Sequence, residues 1–121
     1  MDSETRKEEY IRTIYKTTEY TEFYNQLDDK TKVKFNYVEN IIATIYNVPI
    51  KFVKHLENTD LFEMRVSIGS NEYRTIIFAI DNRNFIEAKN IILLNGFLKK
   101  DNKDYRKQVE IAEKLLDSFE L

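Results

Sequence analysis

Apolar and polar positions alternate most clearly over Leu61–Ile68, where Phe62, Met64, Val66 and Ile68 fall on one side and Leu61, Glu63, Arg65 and Ser67 on the other. A period of two is the signature of a strand. Gly69-Ser70-Asn71 then supplies a tight turn. Tyr73–Ile80 predicts a second strand, apolar enough to lie centrally in a sheet. Asp81-Asn82-Arg83-Asn84 turns the chain again, and Phe85–Asn95 contains a third strand ending in Ile91–Leu94. Gly96 is read as the point where the chain leaves that strand sharply.

Helical spacing dominates elsewhere. After a modestly alternating strand over Tyr10–Lys16, residues Tyr20, Phe23, Tyr24 and Leu27 recur at i, i+3, i+4 and i+7. Asp29 is the expected N-cap of a second helix, which turns Phe35, Val38, Ile41, Ile42 and Ile45 inward. Asn47 and Pro49 end it, because the residue before proline avoids the helical region. Ile50–Asp60 reads as a connector with one helical turn through Phe52, Val53 and Leu56. A last helix, with Asp104 as N-cap, carries the stripe Tyr105, Val109, Ala112, Leu116 and Phe119. The predicted order is an N-terminal strand, two helices, a three-stranded antiparallel meander and a C-terminal helix. That order belongs to the α+β class.

The 121 residues, 42% of them hydrophobic, fit one domain over 1–121. With no cysteine, disulfides, thiolate metal sites and a cysteine nucleophile are excluded. No other clustered metal ligands are visible, so neither metal nor cofactor is expected. Two glycines and one proline leave no glycine-rich phosphate loop. Met1–Glu9 is charged and no apolar export segment follows, and no run is long enough to span a bilayer. A cytoplasmic protein without a membrane association is the expectation. The net charge of −2 argues against a nucleic-acid enzyme. Its distribution is less adverse. Lys30–Lys54 holds five lysines against Glu39 alone, and Lys99–Lys107 holds five lysines or arginines against Asp101 and Asp104. Acid gathers toward the ends, in Asp2, Glu4, Glu8, Glu9, Glu110, Glu113, Asp117 and Glu120.

Three short motifs stand in order: Glu63-x-Arg65 on one strand, Tyr73-Arg74 on the next, and Gly96-Phe97 followed by Lys99 and Lys100 before the last helix. Together they resemble the phage-derived, HigB-type branch of the RelE toxin superfamily, over roughly residues 49–115. The resemblance implies a RelE-like fold and the toxin of a type II toxin–antitoxin system, an endoribonuclease acting on messenger RNA at the ribosome. It further implies a helix-turn-helix antitoxin as partner, and it leaves room for a homodimer. In such proteins the ribose 2′-hydroxyl attacks the adjacent phosphate, which needs neither a metal nor a protein nucleophile.

Carried onto this chain, the resemblance makes Arg65, Arg74, Lys99 and Lys100 the candidate catalytic residues. Guanidinium forks bind phosphate through paired hydrogen bonds, and a lysine can carry a proton if its environment lowers its pKa. Lys51, Lys54, His55 and Tyr73 are candidate RNA contacts, with a lysine base sought at Lys51 or Lys54 and Tyr73 a stacking surface for a base. Plainer readings stand beside these. Arg65 can pair with Glu63 two residues away, Arg74 can be a surface cation, and Lys99 and Lys100 a solvated turn. His55 can be a surface or packing residue, and Tyr73 and Phe97 can be core. The family often has a histidine just before the Gly-Phe pair. Here that residue is Asn95, which cannot transfer protons. Asn95 and the acidic balance favour a second hypothesis, a toxin-fold binding or regulatory module without catalysis. An unrelated α+β interaction domain is a third.

Overall fold

The computed structural model describes residues 9–119. The acidic residues Asp2, Glu4, Glu8 and Glu120, and most of the charged stretch Met1–Glu9, lie outside the described residues. In chain order the elements are β1 (Thr13–Lys16), α1 (Thr18–Asn25), α2 (Asp29–Thr44), β2 (Val53–His55), β3 (Leu61–Ile68), β4 (Asn71–Ala79), β5 (Asn90–Leu98) and α3 (Asn102–Asp117). They form one five-stranded sheet in the order β1-β5-β4-β3-β2. All neighbours are antiparallel except β1 and β5, which run parallel.

The fold is of the expected α+β class, with differences in detail. The helical turn expected through Phe52, Val53 and Leu56 closes earlier, where the Phe52 and Val53 N–H groups donate to the Pro49 carbonyl at 2.9 and 3.2 Å, and Val53–His55 form the edge strand β2, paired with β3 through Val53↔Met64 and His55↔Phe62. Three residues are too short for alternation to announce a strand. Both capping aspartates lie earlier than expected. Asp28 accepts from the Thr31 N–H at 2.8 Å and starts α2, and Asp101 accepts from the Asp104 N–H at 2.7 Å and starts α3. The N-cap side chain reaches forward to orphan amides, so the cap precedes the aspartate that lies in the first turn of each helix. The Tyr10–Lys16 strand is shortened at its start to Thr13.

Gly96 is a correction of another kind. It lies inside β5, opposite Thr75, and the strand runs on to Leu98. A Cβ here would overlap the ring of Phe23. The position is glycine because α1 presses a ring onto the sheet, not because the chain turns.

The sheet separates two apolar layers. On one face Tyr20, Phe35, Val38 and Ile42 of α1 and α2 pack with Phe62, Met64, Val66, Ile77 and Leu93. On the other face Leu61, Ile76, Ile92, Leu94 and Phe97 pack under Ala112, Tyr105, Val109 and Leu116 of α3. The stripe expected on α3 is therefore used, except that Phe119 is exposed and Leu115 takes part. A register shift at Ile76/Ile77 pairs these residues with Asn95 and Leu93. The extra residue of this bulge lets consecutive Leu94 and Asn95 both serve the α3 side. There the Asn95 side-chain amide donates to the Gln108 carbonyl at 3.1 Å. Asn95 is buried under α3 and fastens the helix to the sheet.

Arg12 supplies a second fastening. Its guanidinium donates to the carbonyls of Ile42, Ile45, Tyr46 and Ile86 at 2.7–2.8 Å and lies 4.9 Å from the centre of the Phe85 ring. It thus satisfies carbonyls left open at the C-terminal end of α2.

Candidate functional site

Antiparallel register decides which polar side chains meet. Arg65 of β3 lies directly opposite Arg74 of β4, and Lys54 of β2 lies opposite Glu63. Directly opposed residues share a face of the sheet, here the face covered by α3. Lys99 follows β5, and its backbone N–H donates to the Glu72 carbonyl at 2.7 Å, which holds the strand exit beside β4. Lys54, His55, Leu56, Glu57, Glu63, Arg65, Lys99, Asn102 and Tyr105 line one open cleft of about 230 Å³.

Glu63 is its organising residue. The side chain is only 5% exposed, and one carboxylate oxygen lies 2.6 Å from Arg65 Nε and 3.7 Å from Arg74 Nε. The other oxygen accepts from the Tyr105 hydroxyl. Arg74, with 7% side-chain exposure, also reaches the Tyr73 carbonyl at 2.9 Å and Glu72 at 3.4 Å. Arg65 is 27% exposed. Its Nε is engaged by Glu63, and among the described residues no acceptor engages Nη1 or Nη2. A guanidinium held through Nε keeps its outer edge available for an anion.

Burial, and then the bond to Glu63, push the Tyr105 phenol well above its ordinary pKa. It therefore remains a hydrogen-bond donor near neutral pH and is no base. Hydrogen bonds from Ser67 and Arg74 hold Glu72 below the usual carboxylate range. Among the described residues no cluster of histidine, cysteine or carboxylates could hold a metal ion, and no helix is long and apolar enough to cross a membrane.

The model of the family described as phage-derived Gp49-like proteins matches residues 22–117. The chain belongs to the Gp49-like family. A search of curated proteins finds no match. Among solved structures, this Gp49-like chain is similar to Escherichia coli toxin RelE, determined as a double arginine mutant in the free state. The two share 9% sequence identity at a TM-score of 0.56, over 83% of this chain and 96% of that one. At such low identity the likeness is one of fold.

The Gp49-like chain thus brings Arg65, Arg74, Lys54 and Lys99 to one side of its sheet, with His55 at the rim. The His55 ring nitrogen Nε2 lies 2.7 Å from the Thr59 carbonyl, and its ring packs against Phe62. Lys100 is exposed and does not line the cleft, and neither does Lys51, whose ammonium lies over the Phe52 ring. Tyr73 is on the opposite face, edge-on to Phe23 and Phe35. From there it cannot stack on a base held in the cleft. Phe97 is core. Two cleft residues were not singled out for chemistry in the sequence. Glu63 appeared only as a partner for Arg65, and Tyr105 only as part of an apolar stripe. A carboxylate in mid-strand between Leu61 and Arg65, on a face covered by a helix, is the signal that could have found Glu63.

Proposed function

We propose that this protein is the toxin of a type II toxin–antitoxin pair and that it cleaves RNA in the cleft between β2, β3 and the start of α3. The observation that carries this reading is the meeting of Arg65, Lys54 and Lys99, from three separate segments, around one cleft backed by Arg74. Membership of a phage-derived family and the fold shared with a RelE toxin support it.

In this reading the outer edge of Arg65 and the ammonium of Lys99 bind the scissile phosphate. They stabilise the charge that builds as the 2′-oxygen attacks phosphorus. Lys54, in its neutral form, accepts the 2′-hydroxyl proton, and the ammonium of Lys99 gives a proton to the departing 5′-oxygen. The products are a 2′,3′-cyclic phosphate and a 5′-hydroxyl end. Arg74 and Tyr105 touch no substrate; with Glu63 they set the position of Arg65. The finer expectations belong to this proposal too. The substrate is messenger RNA on the ribosome, the protein acts in the cytoplasm as one domain of the HigB type, and the silencing partner is a helix-turn-helix antitoxin.

The test is expression with and without the partner, scored for growth arrest and for cut messages, beside Arg65→Ala. Wild type is expected to arrest growth and cut message, and Arg65→Ala to lose both by about 100-fold or more, as removal of one transition-state donor does. A folded wild type that neither arrests growth nor cuts message on ribosomes would overturn the proposal. One observation favours a second reading, a binding module without catalysis. The arginine pair already holds a carboxylate, Glu63, where a phosphate would be sought.

A further inference from the structure

The lysine-rich stretch before the cleft takes on a definite form in the fold. Its single internal acid, Glu39, is withdrawn from the surface, where it accepts from the Tyr20 hydroxyl at 2.6 Å and pairs with Lys16 at 2.8 Å. The remaining charges of the stretch are lysines, and three of them lie against aromatic rings. Lys32 Nζ is 5.7 Å from the centre of the Tyr24 ring, Lys34 Nζ is 5.6 Å from that of Tyr37, and Lys51 Nζ is 4.9 Å from that of Phe52. Tyr37 and Phe52 meet edge to face at 6.3 Å, so Lys34, Tyr37, Phe52 and Lys51 form one continuous row from α2 to the approach of β2. Tyr37 is 55% exposed. The acids that bracket the stretch are Asp28 and Asp29 at the N-terminal end of α2 and Glu57, which lines the cleft.

This row adjoins the cleft. The Phe52 carbonyl accepts from the Arg65 backbone N–H at 2.7 Å, and Lys54 lines the cleft three residues beyond Lys51. Lys51 and Phe52 sit in the turn that opens into β2, with Phe52 packed on the α1/α2 side, so the row reaches the cleft around that edge strand.

We propose that the Lys34–Tyr37–Phe52–Lys51 row is a second RNA-binding surface, which holds the single strand flanking the linkage in the cleft. The inference rests on the cleft reading above. Here the lysines alternate with the exposed Tyr37 ring and the half-buried Phe52 ring, and cations interleaved with rings are what sequence-tolerant single-strand binding uses: ammonium groups track the phosphates, and rings offer faces and edges to bases. An acidic protein would be drawn by the same charges but has no use for a row that continues into a cleft. The row also answers the objection from net charge, because RNA meets this face and not the molecule's average.

The experiment is fluorescence anisotropy of a labelled single-stranded RNA long enough to cover row and cleft, titrated across salt concentrations. The proteins are wild type, Lys34→Ala/Lys51→Ala and Arg65→Ala, each first checked for an unchanged melting temperature. Each lysine that contacts a phosphate should contribute about 0.7 to the slope of log affinity against log salt. The double variant is expected to weaken binding and flatten that slope by about 1.4, while a short RNA that fills only the cleft binds it as tightly as wild type. Equal slopes for wild type and the double variant would overturn the inference, as would loss of poly-glutamate binding in the double variant with RNA binding intact. Failure of the cleft reading looks different: Arg65→Ala then matches wild type on the short RNA.

Discussion

Glu63→Gln isolates the residue on which the site turns. The substitution keeps shape and one acceptor oxygen but removes the negative charge. Arg74, with 7% side-chain exposure, would retain only the Tyr73 carbonyl and the more exposed Glu72. The new amide group would face either an arginine donor or the Tyr105 hydroxyl. Removing one partner of a buried ion pair costs about 3–5 kcal/mol, mainly because the other charge is left stranded. Partial exposure of Arg65 and the oxygen that glutamine keeps put this case at the lower end, about 3 kcal/mol. Against a typical domain stability of about 5–15 kcal/mol the variant should still fold. With a urea slope of about 2 kcal/mol/M, its midpoint should fall by about 1.5 M. Adding Arg74→Met should restore part of the loss, because the stranded charge is then gone, and the coupling should be about 1–3 kcal/mol. A Glu63→Gln midpoint within about 0.3 M of wild type, or purely additive losses in the double variant, would refute the view of Glu63 as the anchor of both guanidiniums.

Three further outcomes follow from the fold. Gly96→Ala should cost about 1–3 kcal/mol by forcing the Phe23 ring aside, read as a lower denaturation midpoint; pairing it with Phe23→Leu should recover part of the loss. Arg12→Met should cost about 3 kcal/mol or more, because carbonyls of Ile42, Ile45, Tyr46 and Ile86 lose their donor together, and amide exchange should accelerate first at the C-terminal end of α2. Burial, reinforced by Glu39, raises the pKa of Tyr20 far above its ordinary value of about 10. The folded state therefore keeps a proton that the unfolded chain releases. This contribution is fully present below pH about 10 and is lost as pH rises beyond it. Stability measured against pH should fall on the alkaline side, and Tyr20→Phe should flatten that fall; an equally steep fall in the variant would refute the assignment.

What could be read from sequence, and what could not, follows from the range of the forces involved. The alternation of Phe62, Met64 and Val66 against Leu61, Glu63 and Arg65 is written locally, because each strand residue must choose one of two faces and both faces are covered. Pairing is not local. Nothing in Thr13–Lys16 announces a parallel partner in Asn90–Leu93, and three residues of β2 carry too little pattern to be seen. The same division runs through the site. The i, i+2 spacing of Glu63 and Arg65 suffices to suggest an ion pair. That the carboxylate also gathers Arg74 and Tyr105 depends on strand register and on how α3 docks. The docking of α3 in turn relies on a bulge that turns both Leu94 and Asn95 toward it. Asn95 therefore has a physical reason that owes nothing to proton transfer. A neutral amide can bond a helix carbonyl under the sheet without charging, whereas an ionised side chain there would be stranded away from water. With no titrating group at that position, the proposed proton transfers fall to groups that line the cleft.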